Sequence, residues 1–263
     1  MRRAHRNLPQ AGFTLIELLV ALGIFLLVCG AAFTLLASSQ QHYQTESQVL
    51  NSFQEARLAL DQMVRDVNDA GYPPPTFLLS SAPNKSTSSP FAWSPGYAVP
   101  ATCTIGTSCI TPGDFDIIIE TNPTPEDSLS NVKWIRYYLQ GTTLMRGTAD
   151  KNFNDDPDVD TSNSLVPLVQ NVVNNSSSSQ IAQYQAAYPG MFPGGNPVPI
   201  FSYTCDVGNA PLACPLAGTA NSPANIRDVV VTLIVAAPLP DASTGQVRLV
   251  QLVGRGRRIN PNQ

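Results

Sequence analysis

Residues 11–28 read AGFTLIELLVALGIFLLV, and one carboxylate, Glu17, stands near the start of that apolar run. A charge in apolar surroundings is tolerated only when it is paired, so Glu17 calls for a cation. The run begins at Phe13, immediately after Gly12.

Two further groups have the residue types for chemistry. Cys103, Cys109, Cys205 and Cys214 follow the apolar segment, and an even count outside the cytoplasm favours disulfides. Four cysteines permit three pairings. The local one, Cys103 with Cys109 and Cys205 with Cys214, closes two short loops and is the expectation, since zinc needs tighter spacing and usually His. Asp155, Asp156, Asp158 and Asp160 crowd the stretch NFNDDPDVDTSN, 152–163. Carboxylates at alternate positions can ligate calcium. The helix–loop–helix calcium pattern fails, however, with Thr161 at its glycine position and Pro167 at its closing glutamate position. A solvated acidic loop is the expected state.

Catalytic sets are missing. His5 and His42 are the only histidines, and neither lies in the body of the chain. That removes His-dependent triads and H-E-x-x-H zinc sites. Neither a G-x-x-x-x-G-K-[ST] loop nor a G-x-S-x-G elbow is present. A carboxylate-only enzyme stays open, with nothing pointing to one, and no cofactor is implied.

The elements that position these groups begin with residues 18–37, LLVALGIFLLVCGAAFTLLA, which carry no charge. Twenty helical residues span about 30 Å, a bilayer core. Arg2, Arg3 and Arg6 precede them, which places the N-terminus in the cytoplasm and the rest outside. Without the first twelve residues the chain has 12 basic and 19 acidic residues, a net charge of −7. Such a body repels nucleic acid. A cleaved secretory signal would end at Ala37 with Leu at −3, a poor site. A lipoprotein would need a small residue where Val28 precedes Cys29. A plain signal anchor, with Glu17 snorkelling to the interface, is the remaining simple alternative. Gly23 and Gly30 share a helix face, as glycines common in membrane helices would, and Cys29 reads as a small apolar filler.

The stretch GFTLIELLVALGIF resembles the prepilin signature of type IV pilins and type II secretion pseudopilins. The resemblance rests on Gly12, Phe13, Thr14 and Glu17. It implies cleavage between Gly12 and Phe13 by a prepilin peptidase, N-methylation of Phe13, and a Glu17 that becomes the fifth residue of the mature chain. In a filament of bundled apolar helices, Glu17 would meet the amino terminus of a neighbouring subunit and fix axial register.

Past the apolar run, Val49, Phe53, Ala56, Leu60, Met63, Val67 and Ala70 recur at helical spacing. AGYPPP, 70–75, stops the pattern. One helix over 13–70 would be roughly 85 Å long. FQEARLALDQMVRDVNDAGYP resembles the region after the anchor in PilW-type and type II secretion J-type minor subunits. Residues 72–113 hold eight prolines and read as an irregular connection. The period then changes to that of strands: FDIIIE (115–120), the hairpin VKWIRYYL–QGT–TLMRG (132–147), IFSYT (200–204), DVVVTLIVAA (228–237) and QVRLVQLVGRG (246–256). Residues 148–199 fit no assigned pattern.

The expected fold is α+β of the pilin type, with a long N-terminal helix packed on an antiparallel sheet domain. The expected division is a cleaved leader at 1–12, a transmembrane and assembly helix at 13–37, an amphipathic stalk at 38–71 and an exported β-rich domain at 72–263. The resemblance implies a non-enzymatic minor pilin that enters or primes a type IV pilus, with a J-type pseudopilin as the alternative. From another class, the rival is a membrane-anchored exported binding protein or enzyme that uses a pilin-like leader. Implied partners are the prepilin peptidase, other major and minor pilins or pseudopilins, an inner-membrane assembly platform and membrane lipid, and not nucleic acid. The implied location is the inner membrane, single pass with the body in the periplasm, then the filament.

Overall fold

The computed structural model describes residues 12–74, 83–97, 103–124, 131–152, 155–207, 210–214, 222–241 and 244–259. The chain divides into two compact units, 1–47 and 48–263. Helix α1, Leu15–Asn68, begins in the first and ends in the second.

In the first unit the helix presents apolar side chains outward, Ile16, Leu19, Ile24 and Phe25 among them. Among the described residues it is the one helix long and apolar enough to cross a membrane. Water would not tolerate that surface bare, so it needs lipid or other apolar helices around it.

In the second unit α1 changes character. Ala56, Ala59, Leu60, Met63 and Val67 are buried, a three-and-four spacing that makes one apolar stripe. The helix ends where Gly71 adopts φ 82°, a left-handed value that glycine takes without strain. The Gly71 N–H then donates to the Glu120 carbonyl.

Two antiparallel sheets take up that stripe. The first has the order β1-β2-β3-β4-β5, from β1 (Phe91–Ala92), β2 (Asp116–Thr121), β3 (Lys133–Gln140), β4 (Thr143–Asp150) and β5 (Val166–Val169). The second has the order β7-β6-β8-β9, from β6 (Phe201–Val207), β7 (Ala210–Cys214), β8 (Ile226–Ala236) and β9 (Leu249–Arg257). One core cluster joins the helical stripe to Ile117, Ile119, Ile135 and Tyr137 of the first sheet and to Phe201, Val229, Val231 and Leu233 of the second. Alternation explains the choice, since residues two apart on a strand share a face. A direct polar tie adds to the apolar contact, because the Tyr137 hydroxyl donates to Asp66 on α1 at 2.6 Å.

The far faces of both sheets are covered by segments that showed no periodicity. Helix α3 (Ser178–Ala187) lays Ile181 with Phe192 over Ile234 and Ala236 of β8. It starts with a capping box, in which Ser177 and Gln180 serve each other's backbone. The buried Asn174 donates to the carbonyls of Val198 and Thr232 and accepts from the Ile234 N–H. On the first sheet, residues 86–97 pack Trp93 and Tyr97 near Trp134.

Part of the acidic stretch, expected as a solvated loop, is a helix, while Asp155 before it is exposed. Asp156 caps helix α2 (Pro157–Ser162), and Pro157 occupies its first turn, where a missing N–H costs nothing. Arg136 of β3, with its side chain 5% exposed, pairs with Asp116 of β2 at 2.6 Å and with Asp158 of α2. A buried guanidinium therefore docks the helix.

Candidate processing and assembly site

Phe13 and Thr14 precede α1 outside any regular element, and both are exposed. Exposure leaves the Gly12–Phe13 peptide reachable, and nothing lies within 4 Å of where a Cβ on Gly12 would stand. Among the described residues, then, no close neighbour requires glycine there.

Thr14 and Glu17 cap each other. The Thr14 N–H and hydroxyl donate to Glu17 Oε2 at 2.8 and 2.9 Å, and the Glu17 N–H donates to Thr14 Oγ1 at 3.4 Å. This is the reciprocal arrangement that T-x-x-E at a helix start provides, satisfying donors that have no partner within the helix. Glu17 also lies in the first turn, where the helix dipole favours an anion. The T-x-x-E spacing is visible in the sequence, and it is the signal for Thr14 as the local partner of Glu17. The carboxylate is thus held on its own helix in the single chain while remaining exposed to another.

Residues 8–35 match the family model of the prokaryotic N-terminal methylation motif. The chain is type IV pilin-like. The match covers Gly12, Phe13 and Glu17 and most of the apolar run, and it stops well before the second unit. No curated protein matches the chain. Among solved structures, a type IV-like pilin from Thermus thermophilus aligns over 80% of this chain and 97% of its own, with 11% identity and a TM-score of 0.37, a level too low to build on. Arg2, Arg3, Arg6 and His5 fall outside the described residues.

The other candidate residues of this pilin-like chain are placed as follows. Cys103 is bonded to Cys109 across six positions and Cys205 to Cys214 across nine. The second bond lies in the hairpin of β6 and β7 with Cys205 fully buried, and Cys29 carries no partner sulfur. The four aspartates are put to separate uses. Asp155 accepts from Asn152, Asp156 caps α2 and Asp158 meets Arg136, while Asp160 stands on α2 itself. Among the described residues no three His, Cys, Asp or Glu side chains converge as cation ligands.

A cleft of about 530 Å³ opens between the two disulfides, lined by Thr107, Asp114, Phe115, Phe201, Ser202 and Tyr203. Partial burial raises the Asp114 carboxyl above its ordinary range. The Tyr203 hydroxyl is turned to the Gly113 carbonyl at 2.6 Å. Thr107, Asp114, Ser202 and Tyr203 supply its polar side chains.

Proposed function

We propose that this chain is a minor pilin, cut between Gly12 and Phe13, methylated at Phe13 and taken into a type IV pilus through its apolar helix. A prepilin peptidase, an inner-membrane assembly platform and other pilins are its partners in this reading. Its N-terminus faces the cytoplasm before assembly and its body faces the periplasm. One observation carries the reading. An exposed Gly12–Phe13 bond is followed at once by a mutually capped Thr14–Glu17 pair at the head of an exposed apolar helix.

The chemistry of assembly follows from that arrangement. Cutting before Phe13 frees an ammonium, and a filament of packed apolar helices surrounds it with a medium that penalises unpaired charge. Glu17 of a neighbouring subunit is the carboxylate available to meet it, and the pairing sets the axial stagger of otherwise featureless Leu, Val and Ile surfaces. The loop-rich body supports a minor rather than a repeating subunit, because a filament's bulk component needs a compact, repeatable exterior.

N-terminal sequencing and intact mass of the protein from its native membrane test the processing step. A start at Phe13 bearing one added methyl group is expected, and any other start overturns the reading. Gly12→Val should leave the full-length chain in the membrane.

A further inference from the structure

Glu120 and Lys151 form an ion pair whose two side chains are both 0% exposed, with Nζ 2.6 Å from Oε1. They lie on the first sheet, in the unit that does not contain the N-terminal motif, and the proposed assembly gives them no task. Glu120 is on β2 and Lys151 directly follows β4. The intervening strand β3 places Trp134 opposite Glu120.

The surroundings of this carboxyl group are unusual in their number of donors. Oε1 receives the Ser88 N–H at 2.5 Å as well as the lysine. Oε2 receives the Tyr97 hydroxyl at 2.5 Å and the Trp134 indole N–H at 3.2 Å. Lys151 Nζ also lies 2.5 Å from Ser88 Oγ and 2.9 Å from the Ser86 carbonyl oxygen. The Tyr97 ring sits 4.6 Å from that of Trp93 and 5.5 Å from that of Trp134, which roofs the pair with aromatic carbon.

We propose that Glu120 and Lys151 become covalently joined in the folded domain, through an amide between Lys151 Nζ and Glu120 Cδ. An amine held 2.6 Å from a carboxyl oxygen needs only a small displacement to reach the carboxyl carbon, the proximity that makes a reaction effectively unimolecular. A proton first passes from Nζ to Oε1 along their 2.6 Å hydrogen bond; the nitrogen lone pair so freed forms the bond to Cδ, and the Cδ–Oε1 bond breaks. Two of the three ammonium protons leave with Oε1 as water, and the third stays on the amide nitrogen. Nothing is oxidised or reduced, and no co-reactant is consumed.

Each neighbour has a part in that step. Tyr97 and Trp134 donate to Oε2, where negative charge gathers in the tetrahedral intermediate, and fixed donors at such an oxygen are a strong source of rate. Burial, then the adjacent Glu120 charge, hold the Tyr97 hydroxyl in its protonated, donating form. Ser88 touches both reacting groups, its hydroxyl accepting from Nζ and its N–H donating to Oε1, so it holds the nitrogen against the departing oxygen. Attack requires the nitrogen to leave the carboxyl plane, so the bond forms slowly after folding. The aromatic roof keeps bulk water from reversing it.

The test uses the full chain purified folded in detergent, aged, then reduced, denatured and digested with trypsin. Mass spectrometry should find the peptides bearing Glu120 and Lys151 joined at their summed mass less one water, with no cleavage after Lys151. In Tyr97→Phe the joined fraction at a fixed early time should fall at least tenfold, in line with loss of an oxyanion donor. Recovery of both peptides separate and unmodified from aged, folded wild-type protein would overturn the proposal and leave an ordinary buried ion pair.

Discussion

Gly256 of β9 lies directly against Val67 of α1. A Cβ on the glycine would stand 2.5 Å from Val67 Cγ1 and 2.6 Å from Val67 Cβ. Two residues earlier on the same strand face, a Cβ on Gly254 would meet Val64 at 2.8 Å and Leu60 at 2.9 Å. These two glycines let the strand backbone touch the helix surface, which is how the closing strand seats the buried half of α1.

Gly256→Ala should therefore destabilise the second unit by about 1–3 kcal/mol, the usual cost of overpacking a filled core. Val67 is β-branched and stiff, so it cannot swing aside. Gly254→Ala should cost less, because its close neighbours are the ends of side chains. At this size each kcal/mol lowers the thermal midpoint by about 2–4 °C. Thermal unfolding of the two variants measures it, and an unchanged midpoint for Gly256→Ala would contradict the close packing.

The Arg136 cluster yields an ordering of effects. Asp116→Ala removes a carboxylate that grips Arg136 through both Nε and Nη2, at 2.9 and 2.6 Å. Breaking a buried pair from one side costs about 3–5 kcal/mol. Asp158→Ala removes a partner that is partly exposed and leaves the Asp116 contacts intact, so it should cost less and act mainly on α2. Chemical denaturation should rank Asp116→Ala below Asp158→Ala in stability. The reverse order would mean that the α2 contact, not the strand pair, holds the arginine.

The disulfides should be present in protein isolated without reductant, with Cys103 linked to Cys109 and Cys205 to Cys214. Loops of these lengths are each worth about 2–3 kcal/mol through restriction of the unfolded chain, on the chain-entropy account. Cys205→Ser should cost more than Cys103→Ser, because it also places a hydroxyl among fully buried apolar neighbours. Non-reducing peptide mapping decides the links, and crossed pairings would remove the local scheme.

Much of this fold is legible in the sequence where one physical signal dominates. The helix stop at AGYPPP and the apolar runs of β2, β3, β8 and β9 are of that kind. Strands β5 and β7 carry Pro167 and Pro211 and sit at sheet edges, where a missing N–H is tolerated but periodicity is weak. Helices α2 and α3 announce themselves only by caps, Asp156–Pro157 and Ser177 with Gln180, which are easy to read as loop residues. The division into two sheets depends on which strands pair, and no local pattern encodes that. Buried charges are the least legible: Glu120 and Lys151, 31 positions apart, and Arg136, 20 from Asp116, look like surface residues until the fold pairs them.

The Thr14–Glu17 cap sharpens the decisive experiment on assembly, because it gives Glu17 two separable tasks. As a capping residue it can be replaced by Gln, whose amide oxygen serves the same donors. As the charge partner of a neighbour's new amino terminus it cannot. Loss of the cap alone costs about 0.5–2 kcal/mol, whereas an uncompensated buried charge costs about 3–5 kcal/mol. A tenfold shift in an equilibrium needs only about 1.4 kcal/mol. Glu17→Gln should thus keep membrane insertion and cleavage while incorporation into filaments falls by two orders of magnitude or more, with Glu17→Ala at least as severe. Thr14→Val, which removes the threonine hydroxyl but keeps the charge, should lower incorporation tenfold or less. The measurement is the amount of each variant in sheared filaments at equal membrane level. Near-normal incorporation of Glu17→Gln would make Glu17 a helix cap only and end the argument for pairing between subunits.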